Sequence, residues 1–221
     1  PVYLYANSAT SDERVKLPDI RKGEYEGLSE KIVTNEWLPD YGPSQFMPTM
    51  GATATGARSL LIAYNVNLNT DSKSMANSIA SKIRTSGSIV KDGDGVTVRN
   101  DDGKPVRNPG LFRELQAAGW MFDDNTAQVS MNLLDYSITG LHHVTDAIHD
   151  EAAKIGLKVV AGELVGLVPL DAMLCAGRHY NNGTDANDIS LVQHAIDGLM
   201  LDKLGDFDPS DNIIEWAIQG D

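Results

Sequence analysis

Residues 60–69, LLIAYNVNLN, most narrow what this chain can fold into. A period of two puts Leu60, Ile62, Tyr64, Val66 and Leu68 on one face of a strand. Leu61, Ala63, Asn65, Asn67 and Asn69 fall on the other. Residues 72–84 then read as a helix, with Thr70 or Asp71 as N-cap and Met75, Ile79 and Ile83 along one face. Residues 115–122 and 126–133 read as strands joined by Asp123-Asp124-Asn125. Residues 141–155 align Leu141, Val144, Ile148, Ala152 and Ile155 on a helix ended by Gly156, and 157–165 is a last strand. The order is β-α-β-β-α-β, the ferredoxin-like unit of an α/β (α+β) chain, with both helices on one sheet face. In that topology strands 60–69 and 126–133 are neighbours at the sheet centre. Asn65, Asn67, Gln128, Ser130 and Asn132 then share one patch opposite the helices. Solvated sheet faces usually carry Lys, Glu and Thr; neutral amides offer donors and acceptors without a fixed charge.

The flanks are less regular. Residues 1–6 read as a strand, and 12–33 as mainly helical with breaks at Pro18, Gly23 and Gly27. Residues 36–57 read as loop, and 87–110, with DGDG and NDDG, as an exposed hairpin excursion. Pro169 opens a further helix. From residue 181 the chain is a helical tail, with a helix at 190–199 and a segment from Pro209 carrying Ile213, Ile214 and Trp216. The expected organisation is residues 1–57 as the end of one α/β subdomain, 58–178 as a second, and 179–221 as the tail.

Within the loop, Pro43 and Pro48 restrict the backbone, while Gly51 and Gly56 free it. The small residues 51–57, followed by Arg58, would let a ligand approach the main chain closely. A plain connector has the same composition, and local chemistry leaves the two readings level.

The formal net charge of −13 argues against nucleic acid, whose phosphates this field repels. An anionic ligand would need local cations, and Arg58, Lys82 and Arg84 are the candidates near the loop. No apolar run approaches the ~20 residues that span a bilayer. A single cysteine, Cys175, excludes an internal disulfide and fits a reducing, cytoplasmic setting; it reads as a buried, inert thiol. His142, Asp146 and His149 share a helical face, which reads as solvated rather than as a metal site. No phosphate-binding glycine loop or Ser/His/Asp set occurs.

Several longer strings point to one family. PVYLYANSAT, DIRKGEYEGL, DYGPSQFMPT, GATATGAR with LIAYNVNLNT, AQVSMNLLDY and GELVGLVPLDAML occur in that order. Together they resemble glutamate formimidoyltransferase, the folate-dependent enzyme of histidine breakdown, from residue 1 to about 178. The resemblance implies transfer of a formimino group from N-formimino-L-glutamate to tetrahydrofolate as co-substrate, with no metal. It implies folate contacts at Gly42, Pro43, Ser44, Gln45, Phe46, Met47, Pro48, Thr49, Met50 and Gly51, and near Lys82. The amide patch, with Arg58 and Arg84, would line the substrate cleft, across which a second subdomain packs. A homodimer is expected. The family's catalytic histidine belongs to an HKGEHPRMG-like motif, and none of the five histidines here matches it. The chain is therefore expected to lack most of the N-terminal subdomain and to be inactive alone. A non-catalytic ligand-binding or regulatory module is the alternative.

Overall fold

Backbone pairing, rather than apolar pattern, organises the beginning of the chain. In the computed structural model, which describes residues 1–181, 186–205 and 207–218, the chain divides into two units, Pro1–Ser59 and Leu60–Asp221. In the first, β1 (Val2–Ala6) runs parallel to β2 (Thr53–Ala57), from Val2 opposite Thr53 to Ala6 opposite Ala57. The loop expected over residues 36–57 thus ends in a strand. TATGA has no apolar alternation to announce one; its main chain is ordered by the hydrogen bonds β1 offers. Gly56 is needed for that approach, because a Cβ there would lie 2.4 Å from the Tyr5 carbonyl oxygen. Between the strands, the helix expected over 12–33 is broken into a 3-10 turn at Asp12–Arg14, α1 (Leu17–Arg21) and α2 (Leu28–Lys31). Pro18 sits in the first turn of α1, where it is tolerated, and Gly23 follows with φ +90°.

An ion pair that the pattern did not reveal ties this unit together. Arg14 and Asp40 lie 2.9 Å apart, both nearly fully buried. Arg14 also donates to the Glu36 and Leu38 carbonyls, and the Leu4 N–H donates to Asp40 at 2.7 Å. The guanidinium lies over the rings of Tyr3 and Trp37.

The second unit is a four-stranded sheet with helices. Its elements are β3 (Ile62–Leu68), α3 (Lys73–Ile83), β4 (Ser88–Ile89), β5 (Arg107–Asn108), β6 (Leu115–Met121), β7 (Ala127–Leu133), α4 (Leu141–Lys154) and β8 (Val159–Val165). Then come α5 (Leu170–Tyr180), α6 (Asp188–Leu199) and the short α7 (Pro209–Asn212) and α8 (Ile214–Ala217). The sheet order is β6-β7-β3-β8, and every neighbouring pair is antiparallel. Ile62, Tyr64, Val66 and Leu68 are buried in one core with Ala76, Ile79, Ala80 and Ile83 of α3 and Leu141, Val144, Ile148 and Ala152 of α4. Each of the valines, leucines and isoleucines among them contributes roughly 1.5–3 kcal/mol by leaving water, and each alanine less. At the start of α3 the N-cap is Ser72, whose hydroxyl accepts from the Met75 N–H; the Thr70 hydroxyl instead accepts from the Ser72 N–H. Met75 is only half-buried, and the two alanines complete the inward face.

Three smaller features complete the unit. The excursion over residues 87–110 has three segments rather than two, with Val90, Val98 and Val106 linked through their backbones. Tyr64, fully buried, lies 3.0 Å from the Thr145 hydroxyl and donates to the Leu199 carbonyl. Burial pushes its pKa well above the ordinary phenol value. Of the expected tail, residues 182–185, 206 and 219–221 lie outside those described.

Candidate functional site

The loop over residues 42–51 belongs wholly to the first unit, and its shape follows from its glycines and prolines. Gly42 and Gly51 both adopt left-handed backbone, φ +81° and +60°, which a β-branched residue resists. Between them the N–H groups of Met50 and Gly51 both donate to the Met47 carbonyl, closing a tight turn. The Tyr25 hydroxyl donates to the Pro48 carbonyl at 2.7 Å, and the Tyr25 and Phe46 ring centroids lie 5.6 Å apart. Beside the turn is a cavity of about 430 Å³. Tyr3, Tyr25, Lys31, Met50, Gly51 and Ala54 are among the residues that line it. This is large enough for a fused-ring ligand. Of its two lining cations, Arg21 pairs with Glu24, and the Lys31 ammonium donates to the carbonyls of Asp19, Ile20 and Lys22 and lies 3.8 Å from the Trp37 ring centroid. Burial, and then the neighbouring Lys22 charge, lower its pKa.

The amide patch lies on the second unit, on the sheet face away from α3 and α4. Strand register stacks it in rows. Asn65 stands opposite Ser130 on one side and Glu163 on the other; Asn67 stands opposite Gln128 and Ala161. Asn132 pairs with Ala63 in the third row. Trp120 flanks Gln128 on β6 and is exposed, with the Lys73 ammonium 4.6 Å from its ring centroid. The face is not an evenly solvated surface. Asn67 is 1% exposed and Gln128 5%, while Ser130 and Asn132 are half-buried. The Asn65 side-chain amide donates to the Glu163 carboxylate at 2.9 Å. The side-chain carbonyl oxygens of Asn67 and Gln128 have no hydrogen-bond partner among the described residues. A sequence can show that amides share a face, but not that they are left unsatisfied.

Within the second unit, the candidate cations Lys82 and Arg84 are engaged elsewhere than at this patch. Lys82 lies on the helix layer, on the opposite side of the sheet, and pairs with Glu151 of α4 at 2.6 Å; Lys154 completes that pair of bridges. Arg84 donates to the carbonyls of Gly87 and Ala117, and burial followed by the Arg107 charge lowers its pKa. Arg58 is exposed between β2 and β3. The sequence order places these cations near the loop, but only the tertiary structure shows what each one touches.

The histidines make a cluster of their own. His142 stacks on His179 of α5 with centroids 4.7 Å apart and lies 4.0 Å from His143. The His179 Nε2 is 2.7 Å from Asp146, whose other oxygen accepts from the Tyr180 hydroxyl at 3.2 Å. So Asp146 does meet a histidine, but His179 across the helices rather than His149 along its own. Burial, then the flanking His143 and His179, push the His142 pKa down to about 4. Among the described residues no group of three or more potential ligands could hold a metal ion. Cys175 is half-buried rather than fully buried, with the Arg178 guanidinium 3.9 Å from its sulfur.

Comparison with known proteins places these units. A model of the formiminotransferase domain matches residues 63–219, and a model of that domain's N-terminal subdomain matches residues 1–58. The expectation that the chain lacks most of that subdomain is therefore not borne out. The formimidoyltransferase-cyclodeaminase of Mus musculus is 41% identical over 225 residues, 99% of this chain and 38% of the relative. The glutamate formimidoyltransferase of Streptococcus pyogenes is 37% identical over 181 residues, 81% of this chain and 53% of the relative. That of Thermoplasma acidophilum is 38% identical over 193 residues, 86% of this chain and 56% of the relative. The chain thus spans between 38% and 56% of the length of these relatives. With both units matched in order and at this identity, the chain belongs to the formiminotransferase domain family.

Proposed function

We propose that the protein takes part in transfer of the formimino group from N-formimino-L-glutamate to tetrahydrofolate, giving 5-formimidoyltetrahydrofolate and glutamate. The observation that carries this reading is the match of both units to the family, joined to relatives named for that transfer. The second unit is read as ferredoxin-like, which its β-α-β-β-α-β order and antiparallel strand order support. The turn over residues 42–51 contacts the folate; its left-handed glycines and the adjoining cavity support that assignment. The amide rows of Asn65, Asn67, Gln128, Ser130 and Asn132 take the substrate's polar groups. Lys82 and Arg84 are better read as structural, since each is already engaged by protein oxygens. A homodimer in the cytoplasm is the assembly and setting proposed.

Proton transfer to or from the migrating group needs a titratable side chain tuned near neutral pH within hydrogen-bond reach. The histidine motif that the resemblance assigns to this step does not occur in these 221 residues. These residues by themselves are accordingly expected to bind ligand without turnover. The test is tetrahydrofolate-dependent glutamate release, assayed with the 221-residue chain alone and with a polypeptide carrying the HxGxHPRxG-type segment added. Release only in the mixture supports the reading. Release by the chain alone would relocate the chemistry, and folate binding without release in either sample would favour a non-catalytic binding module.

A further inference from the structure

The turn between α1 and α2 is shaped to present one side chain. Gly23 and Glu24 both adopt left-handed backbone, φ +90° and +50°. Glycine does so freely; for glutamate the conformation carries a cost that its surroundings must offset. The Gly27 N–H donates to the Gly23 carbonyl at 2.7 Å, and a Cβ on Gly27 would lie 2.9 Å from that same oxygen. The two glycines therefore close the turn on itself, with Tyr25 midway between them. Tyr25 is 51% exposed, so burial of its ring does not account for this construction. What the side chain touches does. Its hydroxyl donates to the Pro48 carbonyl, its ring packs against Phe46, and a Cβ on Gly51 would meet that ring at 3.7 Å. Three positions of the loop over residues 42–51 thus lean on one side chain. Among the described residues, no other hydrogen bond joins that loop to the rest of its unit. The loop is bounded by Gly42 and Gly51, whose left-handed backbone gives it freedom to rearrange at both ends when it is not held.

We propose that Tyr25 is a positioning residue, which fixes the turn over residues 42–51 in its ligand-binding shape before the folate arrives. The inference rests on the formimino-transfer reading and deepens it. A loop already ordered in its bound conformation loses less entropy on binding, so the tie acts on affinity without touching the reacting atoms. The tyrosine has both features this needs: an apolar ring to lie against Phe46 and a polar tip to reach a main-chain oxygen.

The experiment compares the full-length wild type with Tyr25→Phe and Tyr25→Leu. Three quantities are read for each: hydrogen–deuterium exchange over residues 47–51 by mass spectrometry, Tm, and calorimetric affinity for tetrahydrofolate and, separately, for N-formimino-L-glutamate. Tyr25→Phe keeps the ring and removes only the hydroxyl. Exchange at the Met50 and Gly51 amides should speed up, and tetrahydrofolate should bind about three- to tenfold more weakly. Affinity for N-formimino-L-glutamate and Tm should stay at their wild-type values, which a general loosening of the fold would not allow. Tyr25→Leu, which removes the ring contact as well, should extend the loss. Exchange that stays slow, tetrahydrofolate affinity that stays unchanged, or a loss shared by N-formimino-L-glutamate or accompanied by a fall in Tm overturns this inference while the functional reading stands. A wild type that binds neither ligand overturns the functional reading, and this inference with it.

Discussion

Single residues in this protein differ most in whether their partners were visible in advance. Asn65, Asn67 and Gln128 were legible as a shared face because a strand's period is two. Their unequal burial was not, since burial depends on what covers a strand. The Arg14–Asp40 pair spans 26 positions and no spacing rule links such residues. Burial pushes the Asp40 carboxyl up, but hydrogen bonds from the Thr10 hydroxyl and the Leu4 N–H, with the Arg14 charge, outweigh it and hold the group below its usual range. The His142 imidazole supplies a pH test. It faces His143, Asp146 and His179, and its pKa falls from 6.5 to about 4. The unfolded chain takes up a proton near 6.5, while the folded chain resists until about 4. Stability is therefore present above the unfolded value and drains away as pH falls through that window. His142→Phe, which keeps a ring in the stack, should make the fall in Tm between pH 7 and pH 4.5 shallower than in the wild type, as read by circular dichroism. An equal fall in both would assign the acid sensitivity to other groups.

At the scale of elements, the strands and helices of the second unit follow from apolar period, because each buries one face against a common core. What period could not give was how closely they approach. Gly177 on α5 is a notch for α6: a Cβ there would lie 2.0 Å from the Leu191 carbonyl oxygen. Gly119 on β6 likewise admits α3, with the Asn77 backbone nitrogen at 2.4 Å from such a Cβ. Backbone atoms cannot rotate away as a flexible side chain can. Gly177→Ala should therefore destabilise the protein by about 1–3 kcal/mol, although alanine favours helix, because overpacking outweighs propensity. Urea denaturation checks this; unchanged or raised stability would mean that α5 and α6 shift apart freely. In the first unit the helix read over 12–33 dissolved into short pieces. Its apolar residues did not recur over enough turns to outweigh Pro18, Gly23 and Gly27.

Over the whole molecule, the division of the chain at Ser59 and Leu60 makes the link near Arg58 the natural place to cut. Arg58 is exposed and lies in no strand or helix. Brief trypsin treatment should yield a fragment beginning at Ser59, identified by mass spectrometry. First cuts confined to the exposed excursion, at Lys91 or Arg99, would show that the link is protected. By itself the sequence determined the order β-α-β-β-α-β, the amide face and the family, because periodicity and long ordered motifs are local properties of the chain. Only the tertiary structure decided that β2 exists, that Lys82 and Arg84 are engaged away from the amides, and that two amide carbonyls are buried with no donor among the described residues. Each of those depends on which distant segment comes to lie beside a residue, and hydrogen bonding, desolvation and close packing act at that range whatever the separation along the chain.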